Sequence, residues 1–336
     1  MQPWLLWHEG ALGDLLLTRF AVAALRLGRE NPLVLCARNE ARFLLEDFSL
    51  VQKSYPTSPG PAFWVPKIGP ERVIVFGGPK LADLFAGFSV PLYTVATRPW
   101  GRGHLAIQML LQVFSLLDKA LDIEKVFKRV LARERDQVGS GPFLLHPGSG
   151  GRYKCAPLEW TKALGRALKE RGQEVCFILG PAERDWYPLL RDENPVCINQ
   201  DLRAVVKIIK EAKGFIGFDS GLTHLAAFLG VPTVALFGPT AWWQWCPLGP
   251  RVLVIKKYCS CLKDGHDPRG CKDPCLTHLP LGEITPLIYD FFNTTAKNPG
   301  LTGPQTHLEK LLAGAFEFEE KERFVSLPWV EVVEVA

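Results

Sequence analysis

Residues 215–240 read FIGFDSGLTHLAAFLGVPTVALFGPT: a short apolar run, the polar triplet Asp219-Ser220-Gly221, an apolar segment, then a second apolar run. FIGF is β-prone. Leu222, Leu225, Ala226 and Leu229 recur at helical spacing until Gly230 and Pro232 end the pattern. TVALFG then reads as a second buried strand. A strand, helix, strand unit of this length joins parallel strands. In a parallel sheet, ligands bind beyond the carboxyl ends of the strands, where helix N-termini present free backbone N–H groups. Asp219-Ser220-Gly221 falls at such an end. Asp219 or Ser220 can serve there simply as an N-cap. Two details favour a ligand as well: Gly221 permits close backbone approach, and His224 lies one turn after Ser220 on the same side of an otherwise apolar helix.

The same rhythm extends along the chain. PWLLWH precedes a helix expected over residues 13–27, PLVLCA precedes EARFLLEDF, RVIVFGG precedes PKLADLFAG, and VPLYTVA precedes GHLAIQMLLQVFSLLDKAL. PTSPGPAFWVPKIGP reads as a proline-rich loop. The polar stretch ARERDQVGSGP interrupts the alternation, which places a domain boundary near residue 138. Alternation resumes with FLLHPGSG and runs to the helix LGEITPLIYDFFN. The expected organisation is therefore an N-terminal Rossmann-like domain over 1–138 and a C-terminal Rossmann-like domain over 139–296. A tail over 297–336 could pack back on the N-terminal domain. Both domains are α/β with parallel sheets, and such a pair is expected to face a central cleft.

Composition narrows the function. The chain has 336 residues, 47% of them hydrophobic and 22% charged, enough for a large core in two domains. Its net charge of +4 is too mild to point to nucleic acid but suits an anionic small molecule or surface. The N-terminus lacks a basic lead-in, and Glu9 and Asp14 interrupt its apolar residues, so it does not read as a secretory signal. No apolar run approaches a membrane span, and a cytoplasmic protein is the expectation.

Three turns in the second half could hold phosphate. LLHPGSGGRYK contains Gly148, Ser149 and Gly150 and ends in Lys154; FILGPAERD contains Glu183; FDSGLTH contains Asp219, Ser220, Gly221 and His224. Together, at the strand ends of one sheet, they describe a nucleotide site, with backbone amides and Lys154 for phosphate and carboxylates for hydroxyls. None matches the Walker A pattern, and no Gly-x-Gly-x-x-Gly follows a strand.

With GALGDLLLTRFAVAALR near the N-terminus, and with PLEW and PLGP following in order, these motifs resemble glycosyltransferase family 9, the ADP-heptose:lipopolysaccharide heptosyltransferases. The resemblance implies the two-domain GT-B fold and inverting transfer of heptose from ADP-L-glycero-D-manno-heptose to a lipopolysaccharide inner-core acceptor. It implies Asp14 as the catalytic base and Lys154 as a phosphate ligand. Glu183 becomes a ribose or nucleotide contact, and Asp219, Ser220, Gly221 and His224 the sugar-diphosphate cradle. The partners implied are a nucleotide sugar and a lipopolysaccharide core or lipid A precursor, with peripheral contact at the inner membrane and no nucleic acid. No Asp-x-Asp pair occurs, so a metal clamp on the diphosphate has no obvious ligands and no cofactor is expected. Taken alone, Asp14 also reads as an ordinary acid at a helix start.

The chain departs from the family pattern in two places: Ala156 stands where Trp is usual, and His8 where Lys or Arg is common. Another nucleotide sugar or acceptor, or a nucleotide-sugar-binding protein without transfer, remain rival readings. Of the nine cysteines, Cys36, Cys176 and Cys197 fall in strands. Cys259, Cys261, Cys271 and Cys275 cluster around His266, but at spacings unlike the usual zinc pattern. A structural zinc is one reading of that cluster, and cross-linked or free structural cysteines are the favoured one.

Overall fold

The computed structural model describes residues 1–97, 103–117, 121–131, 139–198, 200–257, 259, 267–271, 273–293 and 330–335. The chain divides into two compact units, Met1–Arg133 and Glu134–Ala336. The boundary expected at residue 138 falls among residues outside the described set.

The first unit runs β1 (Trp4–His8), α1 (Leu12–Leu17), α2 (Arg19–Gly28), β2 (Leu33–Ala37), α3 (Arg42–Asp47), β3 (Lys53–Tyr55), α4 (Pro61–Ile68), β4 (Arg72–Phe76), α5 (Pro79–Ala82), β5 (Leu92–Val95), α6 (Leu105–Phe114) and α7 (Ile123–Leu131). Its five strands are parallel in the order β3-β2-β1-β4-β5. Leu5, Trp7, Val34, Cys36, Val73 and Val75 point to one face of the sheet and pack against Trp64, Val65 and Phe85. Trp4 and Leu6 on the other face are equally buried, which is why β1 reads as an unbroken apolar run.

The second unit runs β6 (Gly141–His146), α8 (Leu158–Lys169), β7 (Val175–Leu179), α9 (Tyr187–Leu190), β8 (Val196–Ile198), α10 (Leu202–Glu211), β9 (Ala212–Phe218), α11 (Gly221–Phe228), β10 (Thr233–Phe237), α12 (Trp242–Trp245), β11 (Val252–Lys257), α13 (Leu281–Asn293) and β12 (Val330–Val335). Its seven parallel strands are ordered β12-β11-β10-β9-β6-β7-β8. Alternate residues of the central strands, including Phe143, Leu145, Phe177, Leu179, Ile216 and Phe218, meet Leu164, Leu168, Ile284 and Ile288 in one core.

In both units the strand order reverses beside the first strand, between β1 and β4 and between β6 and β9. Where it reverses, connections leave the two neighbouring strands in opposite directions. The gap between them is where parallel sheets bind ligands.

Three expectations are corrected. The helix expected over 13–27 is two helices, because the Thr18 hydroxyl donates to the Leu15 carbonyl at 2.6 Å and the turn tightens there. The proline-rich loop contains α4: Pro61 occupies the helix start, where its missing N–H is no loss, and Gly69 ends the helix at φ +60°. The tail was expected to pack back on the N-terminal domain, but its described residues, Val330–Val335, extend the second unit's sheet beside β11.

Candidate functional site

In the second unit the switch point lies between β6 and β9, paired in register through His146 and Gly217. The segment after β6 carries Gly148, Ser149 and Gly150 and turns into a short 3-10 helix, Arg152–Lys154. The segment after β9 carries Asp219 and Ser220 into α11. Two contacts join these segments. The Ser149 hydroxyl donates to the Asp219 carbonyl at 2.5 Å, and Lys154 Nζ donates to Asp219 Oδ2 at 2.7 Å. Asp219 and Lys154 side chains are 10% and 24% exposed, so the ion pair is partly shielded from water.

Ser220 is the N-cap of α11, and its hydroxyl accepts from the Thr223 amide at 3.3 Å. Thr223, which sequence reasoning missed, donates its own hydroxyl to the Phe218 carbonyl at 2.6 Å and so ties the helix to the end of β9. The sequence carried only half a signal: Ser220 is a favoured N-cap residue, but Thr three residues later is not the Glu or Gln of a capping box. Gly221 is the first residue of the helix, and His224 is buried one turn in. The cap engages the Thr223 amide, while the earliest amides of the helix point outward along its axis with the positive end of its dipole.

Glu183 is 5% exposed and belongs to the turn after β7. Its Oε2 accepts from the Gly180 amide at 3.0 Å, and a Cβ built on Gly148 would lie 2.1 Å from its Oε1. The carboxylate therefore fills the space beneath the β6 loop, and a side chain at 148 would have to displace it. Gly150 has nothing within 4 Å of an added Cβ. His146, at the end of β6, donates Nδ1–H to the Ile178 carbonyl at 2.9 Å. Burial holds its imidazole neutral, against the opposing pull of that bond and of Glu183. Cys155 and Cys246 are buried close by. Burial pushes the Cys155 thiol up to about 12, with Glu183 adding to it, and raises that of Cys246, with Asp219 adding to it. Neither is a nucleophile at neutral pH.

In the first unit the switch point lies between β1 and β4, and Asp14 sits in the first turn of α1 just after β1. Asp14 Oδ2 accepts from the Ala11 amide at 3.1 Å, which closes the turn. A Cβ on Gly10 would come within 2.7 Å of His8 Cε1 and 3.0 Å of Asp14 Oδ2, so glycine lets imidazole and carboxylate approach each other. The His8 Nδ1 accepts from the Gly10 amide at 3.2 Å, leaving the proton on Nε2, which is buried without a partner. Burial, helped by the charge of Arg38, lowers the His8 pKa to about 3.

The structure thus gathers Gly148, Ser149, Lys154, Glu183, Asp219, Ser220, Gly221 and His224 into one unit and places Asp14 in the other. Among the proposed zinc ligands, Cys259 is buried and Cys271 and Cys275 are half-buried, while Cys261 and His266 lie outside the described residues. The Cys271 thiol donates to the Asp273 carbonyl at 3.2 Å. Among the described residues no group of three or more His, Cys, Asp or Glu is arranged to hold a metal ion. No described helix is long and apolar enough to cross a membrane.

Residues 107–272, about half of the chain, match the model of glycosyltransferase family 9 (heptosyltransferase). That span holds the second-unit site residues and leaves Asp14 outside. The chain is 34% identical over 153 residues to lipopolysaccharide heptosyltransferase 1 of Pseudomonas aeruginosa, covering 42% of each protein. It is 29% identical over 128 residues to lipopolysaccharide heptosyltransferase 3 of Escherichia coli, covering 35% of this chain and 37% of that protein. The matches therefore span about two fifths of these relatives' own lengths. In fold it resembles the family 9 glycosyl transferase from Veillonella parvula (TM-score 0.67, 14% identity, 87% of this chain and 97% of that one). It also resembles the E. coli heptosyltransferase WaaC with ADP (TM-score 0.62, 16% identity, 86% and 99%). The two parallel-sheet α/β domains are those of the GT-B fold. On the sequence motifs, the family-model match and the heptosyltransferase relatives together, the chain belongs to glycosyltransferase family 9.

Proposed function

We propose that the protein transfers heptose from ADP-L-glycero-D-manno-heptose to a lipopolysaccharide inner-core acceptor, with inversion and without a metal. The observation that carries this reading is the convergence of Ser149, Lys154, Asp219 and the N-terminus of α11 at one switch point. A diphosphate seated there meets an ammonium group and helix amides together, the charge compensation that a departing ADP requires. Asp219 and the loop glycines border the same space and suit sugar hydroxyls and close backbone approach.

In this reading Asp14 of the first unit removes the proton from the acceptor hydroxyl as its oxygen attacks the anomeric carbon. The carbon–oxygen bond to ADP breaks, and Lys154 and the α11 amides take up the negative charge left on the diphosphate. The acceptor is a lipopolysaccharide core or lipid A precursor, which the protein would meet at the cytoplasmic face of the inner membrane. Membership of the family and the heptosyltransferase relatives support this substrate class.

Thermal shift with ADP, UDP and GDP at equal concentration tests the donor, because a ligand that binds only the folded chain raises its melting temperature more the more tightly it binds, with the logarithm of its affinity. ADP is expected to stabilise most. A larger shift with UDP overturns the ADP-heptose assignment.

A further inference from the structure

A pair of thiols outside this site has chemistry of its own. Cys176 on β7 and Cys197 on β8 bring their sulfurs to 3.5 Å. The strands are parallel neighbours, with Ile178 opposite Cys197, so Cys176 and Cys197 project from the same face. β8 is three residues long and forms the outer edge of the sheet. A short edge strand can shift by the ångström or so needed to bring the sulfurs to a bonding distance of about 2.05 Å. Cys176 is 5% exposed whereas Cys197 is half-buried, so a reagent from solution reaches Cys197 first.

We propose that Cys176 and Cys197 form a reversible disulfide site that reacts with low-molecular-weight disulfides of the glutathione class. The Cys197 thiolate attacks one sulfur of the small disulfide, forms a mixed disulfide and expels one thiolate. Cys176 then attacks Cys197 Sγ, expels the second small thiolate and leaves the Cys176–Cys197 bond. Two cysteine thiols are oxidised, one small disulfide is reduced to two thiols, and the two protein protons end on those thiols.

The division of labour within the pair has a physical cause. A thiol hydrogen bond from Cys176 favours negative charge on Cys197 and lowers its pKa to about 7, while the same contact and burial raise that of Cys176. The outer cysteine is thus the attacking one and the inner cysteine resolves. By contrast, burial pushes the Cys36 and Cys155 thiols up to about 12. The bond would fasten β8 to β7, the strand whose Ile178 carbonyl holds His146 and whose following turn carries Glu183. The proposal goes beyond heptosyl transfer and does not depend on it.

Trypsin separates the two cysteines into Gly172–Arg184 and Asp192–Arg203, each with one cysteine. The full chain, folded, is equilibrated at pH 7.5 across a series of oxidised-to-reduced glutathione ratios, acid-quenched, alkylated and digested without reduction. The expected product is the crosslink between these two peptides, formed in the folded chain and not selectively in guanidinium, and reversed by excess reduced glutathione. Both peptides fully alkylated at every ratio, or glutathione carried first by Gly172–Arg184, overturns the proposal. Independently, Cys176→Ala should slow alkylation of Cys197 by iodoacetamide at pH 7 by about five-fold. The thiolate fraction falls by about fifty-fold as the pKa returns toward 9, and greater intrinsic nucleophilicity recovers about ten-fold of that. An unchanged alkylation rate in a variant that melts normally counts equally against it.

Discussion

Lys154 Nζ lies 2.7 Å from Asp219 Oδ2, an ion pair between residues 65 apart in sequence that closes the switch point of the second sheet. An ammonium group beside a carboxylate is held in place before any anion arrives, so a bound diphosphate gains a positioned charge at little ordering cost. Lys154→Ala removes that charge, and charge-assisted hydrogen bonds contribute about 1.5–3 kcal/mol. ADP affinity, measured by calorimetry, should fall by about ten- to a hundredfold. Unchanged affinity removes Lys154 from the site.

The glycines of the β6 loop separate two requirements. Gly148 lies against Glu183, with only 2.1 Å between an added Cβ and Oε1, whereas Gly150 has open space around it. Overpacking of this kind commonly costs about 1–3 kcal/mol. Gly148→Ala should therefore lower both melting temperature and ADP affinity, while Gly150→Ala leaves the melting temperature within error. Equal melting temperatures for the two variants contradict the arrangement of Glu183 beneath Gly148.

Stability should depend on pH through two buried histidines. His8 has its folded-state pKa lowered from 6.5 to about 3, and that of His146 is also lowered. Between those values the unfolded chain binds a proton at His8 that the folded chain does not. Stability is therefore complete above pH 6.5 and is lost as pH falls toward 3, by about 1.4 kcal/mol per unit for one group. Urea unfolding at pH 7.5 and pH 5 should show His8→Gln losing about 2 kcal/mol less than the native chain. An identical loss shows that His8 does not titrate on unfolding.

The strands were legible because parallel strands buried on both faces read as continuous apolar runs; all five residues of TVALF are buried. β12, VEVVEV, was not, because a short run broken by two glutamates at the end of a polar tail gives a weak strand signal, and its partner β11 is far away in sequence. The site motifs were legible one by one from Gly, Ser and acidic residues at strand ends. The Lys154–Asp219 pair and the burial of Glu183 beneath Gly148 were not, since each needs the order of strands in the sheet. Family resemblance supplied the role of Asp14, which in local geometry also caps its own helix through Ala11.

The proposed donor site carries an expectation about metal. Lys154 and the α11 N-terminus provide positive character, and no Asp-x-Asp pair exists to anchor a divalent ion. Transfer should proceed at an unchanged rate in excess EDTA. A rate that collapses and returns with magnesium, with circular dichroism constant throughout, rules out metal-free transfer.

The assignment of Asp14 as the base rests on one substitution. Its carboxylate accepts from the Ala11 amide, a bond an Asn carbonyl oxygen can keep, so Asp14→Asn should preserve the turn while removing the negative charge and with it proton acceptance. The residues proposed to hold the donor all lie in the other unit, and donor affinity should stay within about two-fold. General-base catalysis contributes about 10²–10⁴ in rate, and single-turnover transfer with saturating donor should slow by at least that order. A residue that merely begins a helix predicts otherwise: about 0.3–1 kcal/mol of stability lost and a rate near normal. The two outcomes differ by a hundredfold or more in one measurement, and a near-native rate removes Asp14 as the base.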